Sequence, residues 1–148
     1  MIRRLATTAV LAAATLAAGC ASPRAPEPAP AVSVAKSCPA GQTRATTAEL
    51  VFGRNVGDHL GVTDQDWRRF IDEEVTPRFP DGLSVIDVQG QWRASNGLVV
   101  HEPSKIVYLV LDGGPDDRAK ISNIRNAYKS RFHQDSVLLV SSPACVSF

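Results

Sequence analysis

Hydrophobic positions along the chain switch between a two-residue and a three-to-four-residue period, and the switches mark out six elements. Residues 46–54 are rich in β-branched and aromatic side chains and predict a first strand. Residues 57–61 form a polar loop. Thr63, with Asp66 three residues on, has the form of a short capping box at a helix start. Trp67, Phe70, Ile71 and Val75 then recur at helical spacing, with Asp66, Arg69, Asp72 and Glu73 turned away. Pro77 disfavours helical geometry at Thr76, so the helix is expected to stop there. Phe79-Pro80-Asp81-Gly82 is a turn in which Pro80 presets its dihedral and Gly82 tolerates positive φ.

Residues 83–94 predict a long strand with Ile86, Val88 and Trp92 on one face and Asp87, Gln89, Gln91 and Arg93 on the other. Asn96-Gly97 is a strong hairpin signal. A two-residue turn there sets Arg93 opposite Val100, Trp92 opposite His101 and Gln91 opposite Glu102. Pro103 has no donor for the ladder, so a bulge or break is expected at it. Residues 105–111 are apolar on both faces, as a covered central strand requires. Residues 112–117 turn into a second helix carrying Ile121, Ile124, Tyr128 and Phe132 on its apolar stripe. Residues 136–140 are a last strand, and residues 142–148 a tail with Cys145.

This order is that of a ferredoxin-like split βαβ fold, of class α+β. Two right-handed crossovers place both helices on one face of a four-stranded antiparallel sheet. The other face is then open and partly apolar, which calls for a cover: the tail held by Cys145, or a second copy of the chain as a homodimer.

The first twenty of the 148 residues change the picture of where such a domain works. Arg3 and Arg4 precede a short apolar run, and Leu16-Ala17-Ala18-Gly19-Cys20 resembles the lipobox of bacterial lipoproteins. Residues 1–19 are expected to be a signal peptide and Cys20 the lipidation site, with an ordinary signal peptide as the alternative. Several acyl chains on Cys20 would give stable membrane anchoring. By the lipoprotein pattern Ala21 implies the outer membrane, facing the periplasm, in a Gram-negative cell. The tether, residues 20–43, opens with a Pro/Ala-rich run expected to be extended. A single domain occupies residues 44–148.

Removing residues 1–19 lowers the basic count from 16 to 14 against 15 acids, a net charge of −1. With no basic block, the domain lacks the electrostatic footprint of a nucleic-acid binder. Cys38 and Cys145 remain, and an oxidising compartment makes a disulfide their default state.

Thr76-Pro-Arg-Phe-Pro-Asp-Gly-Leu, Gly90-Gln-Trp-Arg, Ser104-Lys and Tyr128-Lys-Ser-Arg-Phe-His-Gln-Asp-Ser-Val together resemble the DUF3574 family over roughly residues 45–148. These are small bacterial proteins of unknown function, often predicted lipoproteins, so the resemblance implies no activity and carries over no catalytic residue.

Signatures of serine hydrolases, dinucleotide binders, phosphate loops and zinc proteases are absent. His59, His101 and His133 fall in different elements, and no metal or other cofactor is expected. Asp112 to Asp117 lack the alternating ligands of a calcium loop and read as helix capping. The densest polar group is on the hairpin: Asp87, Gln91 and Glu102, with Arg93 and Lys105 able to join, and Arg78 and Asp81 flanking the turn before it. On an open sheet face these residues could bind a small polar ligand, and Asp87 or Glu102 could serve as a general base. The plainer reading is a ladder of cross-strand pairs. Two functions therefore stand at this stage. One is a non-catalytic binding or interaction domain on the envelope. The other is a small enzyme or ligand-binding protein with its site on the open sheet face, formed at a dimer interface if two copies meet there.

Overall fold

A computed structural model describes residues 37–94 and 96–148. The lipobox, Cys20 and the first part of the tether lie outside the described residues.

Strand β1 (Thr43–Gly53) begins the domain and leads into a two-strand ribbon, β2 (Asn55–Val56) and β3 (His59–Leu60). The ribbon replaces the expected polar loop: β2 and β3 pair Asn55 with Leu60 and Val56 with His59, and Gly57 supplies the positive φ that the tight reversal needs. Helix α1 (Asp64–Phe70) is capped at Thr63, whose hydroxyl accepts from the Asp66 amide at 3.1 Å while the Asp66 carboxylate accepts from the Thr63 amide at 3.2 Å. The Thr63 hydroxyl also donates to the Asp66 carboxylate at 2.6 Å, and this bond, with the one from the Thr63 amide, holds the Asp66 carboxyl below its usual range. The helix then widens into a π-helical segment, Ile71–Val75, in which the Thr76 amide reaches back to Ile71.

Strand β4 (Ser84–Arg93) and strand β5 (Val99–Leu111) form the long hairpin. Helix α2 (Asp117–Phe132) and strand β6 (Leu138–Val146) complete the chain. The four long strands run antiparallel in the order β4-β5-β1-β6. This is the α+β, ferredoxin-like arrangement predicted from the element order.

Three local expectations are corrected. The hairpin closes one residue later than a two-residue turn allows. Gly97 sits at φ +84°, its amide donates to the Ala94 carbonyl, and the Ala94 amide donates to Leu98. Arg93 is therefore opposite Val99, Gln91 opposite His101, and Gly90 opposite Glu102. Pro103 causes no break, and β5 runs straight through it. The Pro103 carbonyl accepts from the Arg54 amide, which shows that its missing donor faces the β1 side, just past the end of β1. Finally, residues 142–146 are not a tail. They extend β6 along β1, Thr47 opposite Ser142 and Thr43 opposite Val146, so they lie in the sheet and cover neither face.

The core fills one face of the sheet. Ala48, Leu50 and Phe52 of β1 and Val107, Leu109 and Leu111 of β5 meet Trp67, Phe70 and Val75 from the first helical segment and Ile121, Ile124 and Tyr128 from α2. Phe52 is central: its ring lies 5.2 Å from Trp67, 5.8 Å from Phe70 and 4.7 Å from Tyr128, all edge-on. Helix α2 lacks the capping bond expected of its acids. Asp116 occupies the N-cap without a side-chain bond, and Asp117 provides the negative charge of the first turn.

Cys38 and Cys145 are bonded, 107 residues apart in sequence. Chain entropy for so long a loop amounts to about 4–5 kcal/mol, and native geometry usually delivers somewhat less. Cys38→Ser with Cys145→Ser should cost about 2–4 kcal/mol in urea unfolding, with the folded far-UV spectrum retained. An unchanged midpoint would mean that the bond does not constrain the unfolded chain.

Candidate functional site

Strand alternation sorts the predicted site residues onto two faces, because residues directly opposite each other share a face. The one-residue difference in register separates them. Asp87 pairs with Lys105 on the helix-bearing face, whereas Glu102 is opposite Gly90 on the open face with Trp92. The expected grouping of Asp87, Gln91 and Glu102 on the open face does not form.

On the helix-bearing side Lys105 is nearly buried, with a side chain 10% exposed, and it bridges two acids. Its ammonium contacts Asp87 and lies 3.4 Å from Asp64, which in turn accepts from Arg54 at 3.0 Å. Arg54 and then Lys105 hold the Asp64 carboxyl below its usual range. Arg54 also donates to the Val62 carbonyl at 2.9 Å, so through Asp64 and Val62 the two cations tie the start of α1 to the sheet. The adjoining cleft, about 420 Å³, is floored by this ion network. Gln91 is exposed on the same face, and Arg93 bonds the Gly97 carbonyl of its own hairpin. Arg78 pairs with Glu74 one helical turn before it, at 3.0 Å, and not with Asp81, which is exposed on the turn.

The open face holds a different constellation. Gly53 of β1 is opposite Ser104 of β5, and Gly90 of β4, opposite Glu102, lies diagonally beside Ser104. These three residues carry little side-chain volume, and they line a hollow of about 390 Å³, bounded by Trp92, Val100 and Glu102 on the hairpin and by residues 133–136 beyond α2. The Glu102 carboxylate is fixed at its edge. One oxygen accepts from the Asn55 amide at 3.0 Å and the other from the Trp92 indole at 3.1 Å. Each carboxylate oxygen has a second acceptor site to offer.

The support beneath is continuous. The Gln134 side chain donates to the Asn55 carbonyl at 2.6 Å, and the buried Tyr128 hydroxyl donates to the Gly53 carbonyl at 2.7 Å. Burial pushes the Tyr128 hydroxyl pKa strongly upward, so it remains a donor. Trp92 is 49% exposed, so it belongs to neither the core nor a closed contact within the chain. Sequence reasoning singled out Glu102 but missed Gly53, Gly90 and Asn55. The signal was present in the glycines, since an isolated glycine within a strand marks a close approach.

A larger cleft, about 600 Å³, lies by the start of α2 among Leu111, Ile121 and Leu139. Its Arg125 is spent on the Val137 carbonyl. Among the described residues, no cluster of three His, Cys, Asp or Glu side chains is arranged to hold a metal ion, and no helix is long and apolar enough to cross a membrane.

The packing of Glu102 on Gly53 yields a test. A Cβ added at Gly53 would overlap the Glu102 carboxylate, while one at Gly90 would come no nearer than 3.1 Å to any atom, the nearest being the Ser104 hydroxyl. Gly53→Ala should therefore displace the carboxylate and move the Trp92 indole N–H resonance in a nitrogen–proton correlation spectrum, and Gly90→Ala should leave that resonance nearly in place. Equal effects would show that the glycine contact does not hold Glu102.

Two solved structures share the fold. A phage SAM lyase in complex with S-methyl-5′-thioadenosine aligns with a TM-score of 0.57 and 20% identity, covering 70% of this chain and 90% of its own. A phage SAM lyase in the apo state aligns with a TM-score of 0.53 and 18% identity, covering 71% and 90%. No curated protein matches the chain. The model of a family described as a protein of unknown function, DUF3574, matches residues 47–148, the whole of the sheet and both helices but for the start of β1. The chain is a member of the DUF3574 family.

Proposed function

We propose that this protein is a small-molecule-binding domain whose site is the hollow on the open sheet face. The observation that carries the reading is the Glu102 carboxylate, fixed by two donors beside Gly53, Gly90 and Ser104, which carry little bulk. A carboxylate held in place with spare acceptor capacity suits a ligand that offers hydroxyl or ammonium donors. The half-exposed Trp92 ring beside it offers a flat apolar surface for an aromatic base. A nucleoside has both features. The fold neighbour solved with S-methyl-5′-thioadenosine supplies the ligand class to try first.

The test is calorimetric titration of the chain without residues 1–20, using S-methyl-5′-thioadenosine and S-adenosylmethionine. Binding should weaken about 10-fold or more in Glu102→Gln, by the roughly 1.5–3 kcal/mol of a hydrogen bond to a charged group, and comparably in Trp92→Ala. Absence of heat with either compound would remove this ligand class. Turnover of S-adenosylmethionine would move the reading from binding to catalysis.

The reading of an interaction domain rests on a separate observation. Ile86, Trp92, Leu138 and Val140 are exposed on the open face, where Glu49 and Glu102 are the only acids along the four strands. A second copy of the chain suits so weakly charged a surface. Light scattering should then give twice the chain mass, and Leu138→Lys should return it to a monomer; a monomeric wild type would discard the homodimer.

We further propose that Cys20 carries the lipid that holds the domain at the outer membrane, facing the periplasm. The full chain should partition with membranes and Cys20→Ala should be released to the soluble fraction. A Cys20→Ala chain that stays membrane-bound would overturn the anchor.

A further inference from the structure

We infer that His133 is a ligand-contacting residue of the hollow, facing the site from the side opposite the hairpin. This rests on the hollow being the binding site and adds the group that selects the ligand there.

The argument begins with the backbone. Helix α2 ends in a left-handed residue, the usual cap that lets an amide turn back onto the last carbonyls. The residue there is His133, at φ 52° and ψ 43°, its amide donating to Lys129. Glycine takes this conformation at no steric cost, and a side chain does not. Among the described residues His133 is the one non-glycine at positive φ. Histidine, with asparagine and aspartate, adopts it more often than other side chains, and residues held there gather at functional sites.

The location points the same way, since His133 lines the hollow that Glu102 and Trp92 line from the hairpin. Gln134 then anchors the turn twice, its amide to Lys129 and its side chain to Asn55, the same residue whose amide holds Glu102. The turn that carries His133 and the Glu102 carboxylate are thus both tied to Asn55. Glu102, His133 and Asp135 are the ionisable groups around the hollow. Imidazole either donates or accepts, and it does both jobs near neutral pH. The preferred occupant therefore has hydrogen-bonding groups at two ends, one donating to Glu102 and one meeting the imidazole, as a ribose and an adenine edge would.

The test exploits the conflict between cap and site. His133→Gly relieves the backbone and removes the imidazole; His133→Asn keeps a side chain that tolerates the left-handed conformation. His133→Gly should unfold no earlier than wild type yet bind S-methyl-5′-thioadenosine at least tenfold more weakly, with His133→Asn between the two. A purely structural cap predicts the same thermal result with unchanged affinity, and that outcome overturns the inference.

A second measurement needs no ligand. His133 and Trp92 line the same hollow, so the Trp92 indole N–H resonance should shift in His133→Gly relative to wild type, and shift less in His133→Asn. If wild type binds no probe, the nucleoside reading falls and this comparison alone decides His133: a Trp92 resonance unmoved in His133→Gly overturns it.

Discussion

The hydrogen bond from the Tyr128 hydroxyl to the Gly53 carbonyl joins the two halves of this structure. On one side of it lies the aromatic core, where Tyr128 packs 4.7 Å from Phe52 and 5.0 Å from Phe70. On the other side lies the last residue of β1, whose missing side chain leaves room for the Glu102 carboxylate. A buried hydroxyl without this partner would carry a desolvation penalty of about 1–3 kcal/mol, so the helix and the strand end are held in one relative position. The floor of the hollow inherits its rigidity from the core.

That dependence explains why the two sides of the sheet differ. The helix-bearing side is closed by aromatic packing and by Arg54, Asp64, Lys105 and Asp87, which satisfy one another and leave little for a ligand. On the open side polar groups are few, and Glu102 is placed by one backbone amide and the Trp92 indole. Functional sites that work by preorganisation tend to look like the second arrangement, with donors and acceptors fixed in advance by a scaffold that cannot relax.

Much of the fold was legible in the chain. The Thr63 and Asp66 capping box, the stripe of Trp67, Phe70 and Val75, and the strand order all follow from local chemistry. The pairing of Cys38 with Cys145 followed from elimination among three cysteines. Register was not legible. Asn96-Gly97 signals a hairpin without fixing whether glycine is the second or the third residue of the loop, and the difference of one residue carried Glu102 to the opposite face from Asp87. Pro103 misled for a related reason: sequence shows the missing donor but not the side toward which it points. The left-handed backbone at His133 leaves no mark in composition or periodicity.

The disulfide has a mechanical consequence. Cys38 lies five residues before β1, and its partner Cys145 sits in β6 opposite Arg44 near the start of that strand. Tension arriving from upstream of Cys38 does not reach β1 alone. The sulfur bridge shares the load with β6, so the two neighbouring strands are drawn together as a unit and β1 is not peeled from the sheet one hydrogen bond at a time. The far end of β1, where Gly53 and the hollow lie, is thereby insulated from forces acting on the chain that precedes the domain.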